Sequence, residues 1–424
     1  LIVVGSTSGW RSISSMAINQ VVKVGCGIDV HKDNIVATIR KSEDDYETRE
    51  FSSYTSSLTE LREWCQSEGV THIAMESTGV YWKPVYNILE EGAFEIILVN
   101  ARHVRNVPGH KTDKKDSQWL SKLLLSGLLK ASFIPPVEIR QLRDLVRYKK
   151  KIVAQASSEK NRIIRVLEDA NIKLSSVLSN VDGAVGSRII DDLIAGKTNV
   201  GDLMKHYHGK IKVEKAEFRK ALQGRLTPHH QFMLRVMKES IADKEKLIEK
   251  IEKQIDELAK QYAVEIELLQ TIPGVAYDSA VSIISEIGAD MKQFSSEQHL
   301  SSWAGMSPGN NESGGKKKST KTIHGNKHLQ ATLAECAWGA SRKKDGFLKR
   351  KYYSLVPRRG KKKAIVAVGH KIIIAAYHVI KNKEAYKEPE QTDNPKRKLK
   401  QVNRLLQRLN ELGVVFKEVE LQTI

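Results

Sequence analysis

Four carboxylates in this chain have the chemistry and the placement of metal ligands. Asp29 lies at the end of the β-rich run "VKVGCGIDV", Glu76 closes "HIAMES", and Asp113 and Asp116 open "DKKDSQWLSKLLL". The last two are three residues apart, so one helical face would carry both. Four converging carboxylates repel one another unless cations neutralise them, and oxygen ligands of this kind suit two Mg²⁺ ions about 3.5–4 Å apart. Such a pair of ions would act on a phosphodiester.

The lysines beside the aspartate pair fit the same chemistry. Lys111, Lys114 and Lys115 would contact phosphates next to the metal ions. Each carboxylate also has a simpler interpretation: Asp113 or Asp116 could cap a helix, and the other two could be solvated strand ends. The order of all four on the predicted elements favours the joint metal site.

The elements that must bring these residues together are those of an α/β domain over residues 22–135. Two β-rich runs flank the turn-like "HKDN", and "YETREFSSY" adds a third strand. Helix-like and strand-like segments then alternate as "SSLTELREWCQSEG", "HIAMES", "WKPVYNILEEG" and "EIILVN". This order predicts an RNase H-like (RuvC-like) fold, in which Asp29 and Glu76 converge if their strands are neighbours. Residues 1–21, which begin with Leu and contain Met16, are expected to be a disordered or non-native leader.

A heptad pattern predicts long coiled-coil helices over residues 136–263. The first seam consists of Ile139, Leu142, Val146, Val153, Ala156, Ile163, Leu167 and Ala170. The second consists of Leu234, Met237, Ile241, Ile248, Ile251, Ile255, Leu258 and Tyr262. Ordinary amphipathic helices in a bundle are the alternative. The seams could close within one chain or between chains, and we expect the coiled coil to join a homo-oligomer, a dimer or a tetramer.

The last large unit, residues 264–381, is predicted to be mainly α. Its "IPGV" turn between two apolar runs favours a helix-hairpin-helix, whose turn amides can contact DNA phosphates. The stretch "SPGNNESGGKKKSTKT" is polar and rich in glycine and lysine, so we expect an exposed loop there. Residues 382–424 form a basic tail with one amphipathic helix along Val402, Leu405, Leu409 and Leu412.

The composition favours a polyanionic partner. The 424 residues include 69 Lys and Arg against 50 Asp and Glu, a formal net charge of +19. No apolar run approaches the ~18 residues of a membrane-spanning helix, so no membrane partner is expected. The three cysteines are scattered and form no CxxC pair. They indicate a reducing cytoplasm and no zinc site.

Six segments of the chain together resemble a known protein family. They are "GIDVHK", "MESTGVYWKPV", "VNARHVRNVPGHKTDKKDSQWL", "TIPGV", "WAGMSPGNNESGGKKKS" and "GNKHLQATLAECAW". In this order they are similar to the DEDD transposases of the bacterial insertion-sequence family numbered one-ten, in its eleven-eleven branch. The resemblance covers about residues 22–381. It implies a RuvC-like domain that carries D-E-D-D, a coiled-coil middle, and a C-terminal transposase domain with a nucleophilic serine.

The motif match assigns roles residue by residue. The tetrad falls on Asp29, Glu76, Asp113 and Asp116, and the serine falls on Ser313 in "NNESGG". Members of the family act on element ends and target DNA with a non-coding bridge RNA, and they assemble as oligomers with composite sites. The resemblance implies the same partners for this chain, and a location in the bacterial cytoplasm in association with the nucleoid.

The chemistry of Ser313 agrees with that role. A serine that attacks a phosphodiester conserves the bond energy in a phosphoserine link, although its hydroxyl needs a base or a metal to activate it. Gly314 and Gly315 would let the backbone approach the phosphate. Three lysines that would bind the DNA follow: Lys316, Lys317 and Lys318. From the residues alone, Ser313 is one turn-forming serine among several, with Ser319 as its competitor, and the motif match favours Ser313.

Further basic residues are predicted to contact nucleic acid, with a solvated face as the alternative. They are Arg358, Arg359, Lys361 and Lys362 in "RRGKKK" and the run "PKRKLK". Four tryptophans are expected to be core residues and not base-stacking platforms: Trp82, Trp119, Trp303 and Trp338.

Taken together, these features predict a transposase that recombines DNA through a serine nucleophile assisted by a Mg²⁺-binding tetrad, guided by a bridge RNA. One alternative is a RuvC-like, structure-selective endonuclease that uses water as its nucleophile and leaves Ser313 idle. Another is a non-catalytic nucleic-acid-binding protein descended from a transposase.

Overall fold

The computed structural model describes residues 21–77, 79–99, 113–309, 311–314, 316–319, 321–322, 324–389 and 395–413. The expected leader lies almost wholly outside these residues, and so does Lys111. The chain divides into two compact units between Ile134 and Pro135. The first unit is α/β and the second is helical apart from one short hairpin.

The first unit is built on a five-stranded mixed sheet. Its strands are β1 (Gly25–Val30), β2 (Asn34–Arg40), β3 (Tyr46–Ser52), β4 (His72–Glu76) and β5 (Glu95–Val99). Their order in the sheet is β3-β2-β1-β4-β5. β1, β2 and β3 pair antiparallel, whereas β4 lies parallel to β1 and β5 parallel to β4. The predicted hairpin about "HKDN" and the third strand are therefore confirmed.

Among the described residues of this unit, three helices cover the sheet: α1 (Thr55–Ser67), α2 (Trp82–Leu89) and α3 (Asp113–Leu125). α1 buries Leu58, Leu61 and Trp64 in one core cluster with apolar side chains of β1, β2 and β4. β1 is buried at every position, including Asp29, so both of its faces are covered. The rigid centre of the unit is thus the strand that carries the first carboxylate.

The second unit contains the longer helices. They are α4 (Val137–Asp169), α5 (Leu174–Val177), α6 (Ala184–Ile194), α7 (Val200–Leu203), α8 (Lys215–Ala221), α9 (Pro228–Ala259), α10 (Ala263–Gln270), α11 (Tyr277–Ile287), α12 (Glu297–Trp303), α13 (Lys327–Arg342), α14 (Phe347–Asn382) and α15 (Pro395–Glu411). Short 3-10 turns lie at Met204–His206, Lys260–Tyr262 and Met291–Gln293. α5 to α8 fold into a cap whose core includes Ile189, Leu203 and Phe218.

α4 and α9 pack against each other within one chain. Asp169 accepts from His230 at 2.8 Å, and Lys149 lies 2.8 Å from Glu252, so the two helices run antiparallel. Most of the predicted seam is buried, but Val153 is 42% exposed and Ile152 is buried in its place. The prediction for Val153 was wrong because a helix of 3.6 residues per turn drifts away from a strict heptad over several turns.

Two helices, α10 and α11, flank the "IPGV" turn, as the predicted helix-hairpin-helix requires. Gly274 in the turn has φ +89°, and a side chain there would overlap the Cys336 carbonyl in α13. The turn therefore packs against α13 at this residue. Its contact with DNA stays a prediction.

α14 has two features that bear on its interpretation. It is interrupted at Gly360, where φ is +77° and ψ is 162°, so two helices meet at a corner there. It is also long and apolar enough to cross a membrane by length and composition alone, contrary to our prediction that no such segment exists. Because 56% of its most apolar 18-residue stretch is buried inside the protein, the segment has the character of a core helix.

The predicted loop around Ser313 is partly a β-hairpin. β6 (Asn311–Ser313) pairs antiparallel with β7 (Lys316–Ser319), and Pro308 forms a bridge with Thr322. A lysine-rich strand has no alternation of apolar and polar residues, so the sequence carried no strand pattern at this place.

Candidate active site

Asp29 and Glu76 lie at the same edge of the sheet. β1 and β4 are parallel neighbours with Ile28 opposite Met75, so the next residue of each strand is a carboxylate at its C-terminal end. Asp29 is 8% exposed, and its Oδ2 lies 3.1 Å from Nε2 of His31. The condition set by the sequence, that the two strands be neighbours, is met.

α3 brings the second pair of carboxylates toward this edge. A side chain at Gly27 would overlap the Ser117 carbonyl oxygen and the Ser121 amide nitrogen, and one at Gly25 would lie 2.9 Å from Leu124 Cδ2. α3 therefore runs antiparallel across β1. Its N-terminal end, which carries Asp113 and Asp116, points toward the Asp29 end of the strand.

Buried hydroxyls fix α3 in this register. The hydroxyls of Thr38 in β2 and Ser117 in α3 are 2.8 Å apart, and Arg40 Nε donates to Ser121 Oγ at 3.0 Å. Burial lowers the pKa of Arg40, and nearby Tyr46 counteracts this shift. Because buried polar groups are costly to leave unpaired, these bonds resist a rotation or slide of the helix.

The donor set of this edge suits a hard cation. Asp29, Glu76 and the partly buried Asp116 supply carboxylate oxygens, the ligands that Mg²⁺ prefers. The side chain of Asp113 lies outside the described residues, as do those of Lys114 and Lys115. Among the side chains that are described, no group of three metal-ligating residues is close enough to hold an ion.

Ser313 stands at the end of β6, next to the turn of the hairpin. It pairs with Lys316 across a turn in which Gly314 has φ +58° and is exposed. Ser319, the competing serine, lies at the opposite end of the pairing, across from Asn311. The side chains of Ser313 and of Lys316, Lys317 and Lys318 are outside the described part of the chain.

The base of this hairpin is held tightly. A side chain at Gly305 would lie 2.8 Å from the Cα of Gly325, so the two chain segments cross with no room between them. Gly309 N donates to the Lys321 carbonyl at 2.8 Å, and Gln330 Nε2 donates to the Gly305 carbonyl at 3.1 Å.

The buried carboxylate of Glu286 in α11 holds Asn326, the residue that follows Gly325. It accepts from Asn326 Nδ2 at 2.6 Å and from Arg147 Nε and Nη2 at 2.8 Å each. Burial alone would raise the pKa of Glu286, but the hydrogen bonds from Arg147 and Asn326 hold it below its ordinary value. Burial lowers the pKa of Arg143, the second arginine near it, to about 10. No sequence motif marked this network.

The basic residues predicted around the corner in α14 are on the surface. Arg358, Arg359, Lys361 and Lys362 are all exposed. Trp338 is also exposed, to 40%, which contradicts its assignment to the core. The apolar face of α13 is already occupied by Leu329, Leu333, Cys336 and Ala337, and Trp338 falls outside that face. Trp82, Trp119 and Trp303 are each partly buried.

Comparison with known proteins gives consistent results at both ends of the chain. The DEDD transposase model of IS110 matches residues 26–172, and a transposase model of the IS116/IS110/IS902 family matches residues 266–354. Together they cover more than half of the chain. The transposase for insertion sequence element IS1111A of Coxiella burnetii is 22% identical over 349 residues, which are 79% of this chain and 83% of that protein. A protein named "Putative transposase y4qE" of Sinorhizobium fredii is 23% identical over 291 residues, 66% of this chain and 58% of its own length.

Proposed function

Because this chain belongs to the IS110 family of transposases, we propose that it cuts and rejoins DNA with Ser313 as nucleophile and a D-E-D-D carboxylate site as its metal-binding partner. The observation that carries this proposal is the convergence at one sheet edge. Asp29 and Glu76 end neighbouring parallel strands, and α3 directs Asp113 and Asp116 toward the same end. The strand order and directions support an RNase H-like classification of this sheet.

The carboxylates would have two tasks. Asp29, Glu76, Asp113 and Asp116 would hold divalent cations, best Mg²⁺ and two in number, and their fixed positions would orient the scissile phosphate. When bound, such ions neutralise charge on the phosphate and stabilise the displaced oxygen. His31, 3.1 Å from Asp29, supports the orientation of that carboxylate.

The proposed exchange balances without an external energy source. The hydroxyl oxygen of Ser313 forms a bond to phosphorus while the bond from phosphorus to one deoxyribose oxygen breaks. The serine loses its proton and the leaving deoxyribose oxygen gains one. Attack by a new DNA hydroxyl reverses the step and frees the serine, so two strands are rejoined with the number of phosphodiester bonds unchanged.

Three further features complete the proposal. Lys111, Lys114 and Lys115 would bind phosphates near the tetrad, and Lys316, Lys317 and Lys318 would do so near Ser313. A non-coding bridge RNA would select the DNA partners. Because α4 and α9 already bury their seam within one chain, an oligomer would need the outer surface of this pair, where Phe232 and Val236 are exposed.

The decisive experiment looks for a covalent intermediate. Purified protein is incubated with Mg²⁺, co-expressed RNA and end-labelled element-junction DNA, and denaturing gels are run before and after protease. We expect a protease-sensitive DNA–protein adduct that is absent in Ser313→Ala and in Asp116→Ala, and also absent when Mg²⁺ is chelated. Ser319→Ala, the matched control in the same hairpin, should retain it.

Two other outcomes would replace the proposal. Free nicked DNA that persists in Ser313→Ala but not in Asp116→Ala would identify a water-using endonuclease. DNA binding that is unchanged in both variants, with no metal-dependent product in any protein, would identify a non-catalytic binding protein.

A further inference from the structure

A patch of aromatic rings lies on the surface where α13 and α14 meet. Trp338 in α13 is 40% exposed and Tyr353 in α14 is 58% exposed. Tyr352, which is buried, lies between them, with its ring centroid 5.9 Å from that of Trp338 and 5.2 Å from that of Tyr353. The three rings therefore form one continuous aromatic patch, in which the ring of Tyr352 is buried and the rings of Trp338 and Tyr353 are exposed.

The chain around this patch is almost uniformly basic. Between residues 338 and 363 there are eleven lysines and arginines and a single acidic residue, Asp345. Asp345 lies 3.1 Å from Arg350, and Glu388, from the segment after α14, lies 4.0 Å from the same arginine. The Cζ of Arg342 is 5.9 Å from the centre of the Trp338 ring. The nearest acid on α13 is Glu335, which is one turn before Trp338. The partner that fits this surface is therefore an anion of high charge density.

The charge also argues against self-association through the patch. A two-fold contact would bring the same surface of two copies together, and each would carry the same excess of positive charge. A contiguous exposed apolar patch favours an interaction site. A partner that binds there would have to match both the aromatic rings and the positive charge. A polyanion with flat apolar faces satisfies both.

We propose that Trp338 and Tyr353, supported by the buried ring of Tyr352, form a stacking platform for unpaired nucleotides of single-stranded DNA, the polyanion on which a transposase acts. In a duplex the faces of the bases are covered by their neighbours, whereas unpaired bases can stack on aromatic side chains while lysines and arginines hold their phosphates. Arg342 and the basic corner at residues 358–363 supply those cations. The platform consists of residues other than the tetrad and Ser313, and its binding requires no cleavage.

The test compares three nucleic acids with the full-length protein. Fluorescence anisotropy is measured with labelled oligothymidylate, oligouridylate and a mixed-sequence DNA duplex at one fixed salt concentration. Trp338→Ala and Tyr353→Ala should each weaken single-strand binding about tenfold, because stacking on one aromatic residue contributes about that factor. Duplex binding should change by less than about twofold, and Trp338→Phe should retain most of the single-strand affinity.

Controls separate stacking from folding. Tyr54→Ala removes an aromatic side chain that is more exposed than that of Tyr353 but lies outside the basic segment, and it should bind every probe like the parent. Indole emission should be quenched by oligothymidylate in the parent and quenched less in Trp338→Phe, a readout that a purely structural role would not produce. Tighter binding of oligouridylate than of oligothymidylate would contradict the assignment of the platform to DNA.

Three results would overturn the inference. They are unchanged single-strand affinity in Trp338→Ala, an equal loss for single strands and duplex, and a changed subunit number in that variant without a change in affinity. Cleavage by Ser313 is measured separately. If the Ser313→Ala variant still binds single strands, the inference therefore holds even if the proposed strand exchange fails.

Discussion

Glu286 shows how a single buried residue can control the hairpin that presents Ser313. Its side chain is 3% exposed and receives hydrogen bonds from Arg147 on one side and Asn326 on the other. Asn326 in turn accepts from the backbone amides of His328 and Leu329 at the start of α13. One carboxylate thus connects α4, α11 and the end of the hairpin segment.

We predict that Glu286→Gln destabilises the protein by about 2 kcal/mol, because it leaves the partly buried Arg147 and Arg143 without their counter-charge. Chemical denaturation of the full chain near neutral pH measures this loss. Glu249→Gln, which breaks the exposed pair with Lys253, is the matched control and should change stability little. Equal stability of the two variants would contradict a stabilising role for the ion pairs and hydrogen bonds of Glu286.

The same residue predicts a pH dependence. The pKa of folded Glu286 lies below its ordinary value of 4.5, so the ionised form is favoured by folding. Its stabilisation is complete at neutral pH and is lost as the pH falls below 4.5 through the folded-state pKa. The difference in unfolding free energy between the parent and Glu286→Gln should therefore shrink in acid. A difference that stays constant from pH 7 to below that pKa would be inconsistent with this origin.

At the scale of elements, the position of α3 depends on the absence of a side chain at Gly27. We predict that Gly27→Ala displaces the helix, and with it Asp113 and Asp116, because the new methyl group meets backbone atoms of Ser117 and Ser121. Metal-dependent cleavage of junction DNA should fall at least about tenfold, since misplaced catalytic groups are costly, and the melting temperature should fall as well.

Gly25→Ala separates this effect from glycine loss in general. Its methyl group would meet only the ends of the Leu124 and Leu125 side chains, at 2.9 Å, and these can move. It should retain most of the cleavage activity. If both alanine variants lose activity equally, close packing at Gly27 is not what places the helix.

The elements were predicted well where an apolar pattern extends over many residues. They were predicted poorly where backbone pairing or contacts between distant residues determine the structure. The strands of the first unit and the buried seams of α4 and α9 follow from alternation and heptad spacing. The hairpin at Ser313 could not be predicted, because its lysine-rich strand is held by backbone pairing and by the crossing at its base. The contact of Thr38 with Ser117 joins residues 79 apart, which no local pattern encodes.

At the scale of the whole molecule, the net charge of +19 should govern affinity for DNA. Log affinity should fall linearly with log salt concentration, and replacing Arg358, Arg359, Lys361 and Lys362 by alanine should make the slope shallower by about three to four. Titrations at several salt concentrations measure both slopes.

The control for this prediction removes the same charge elsewhere. Lys246, Lys253 and Lys260 each pair with an acidic neighbour along or just after α9, and Lys250 is exposed beside them. Replacing these four by alanine should leave the slope close to that of the parent. Equal changes in both variants would mean that total charge, and not the corner in α14, sets DNA affinity.

The crossing of Gly305 and Gly325 has a consequence for the history of the element. Neither position has room for a side chain, so every missense change in either codon should open the base of the hairpin. We therefore expect a copy that has lost either glycine to encode an inactive protein, even when its tetrad and its serine are intact.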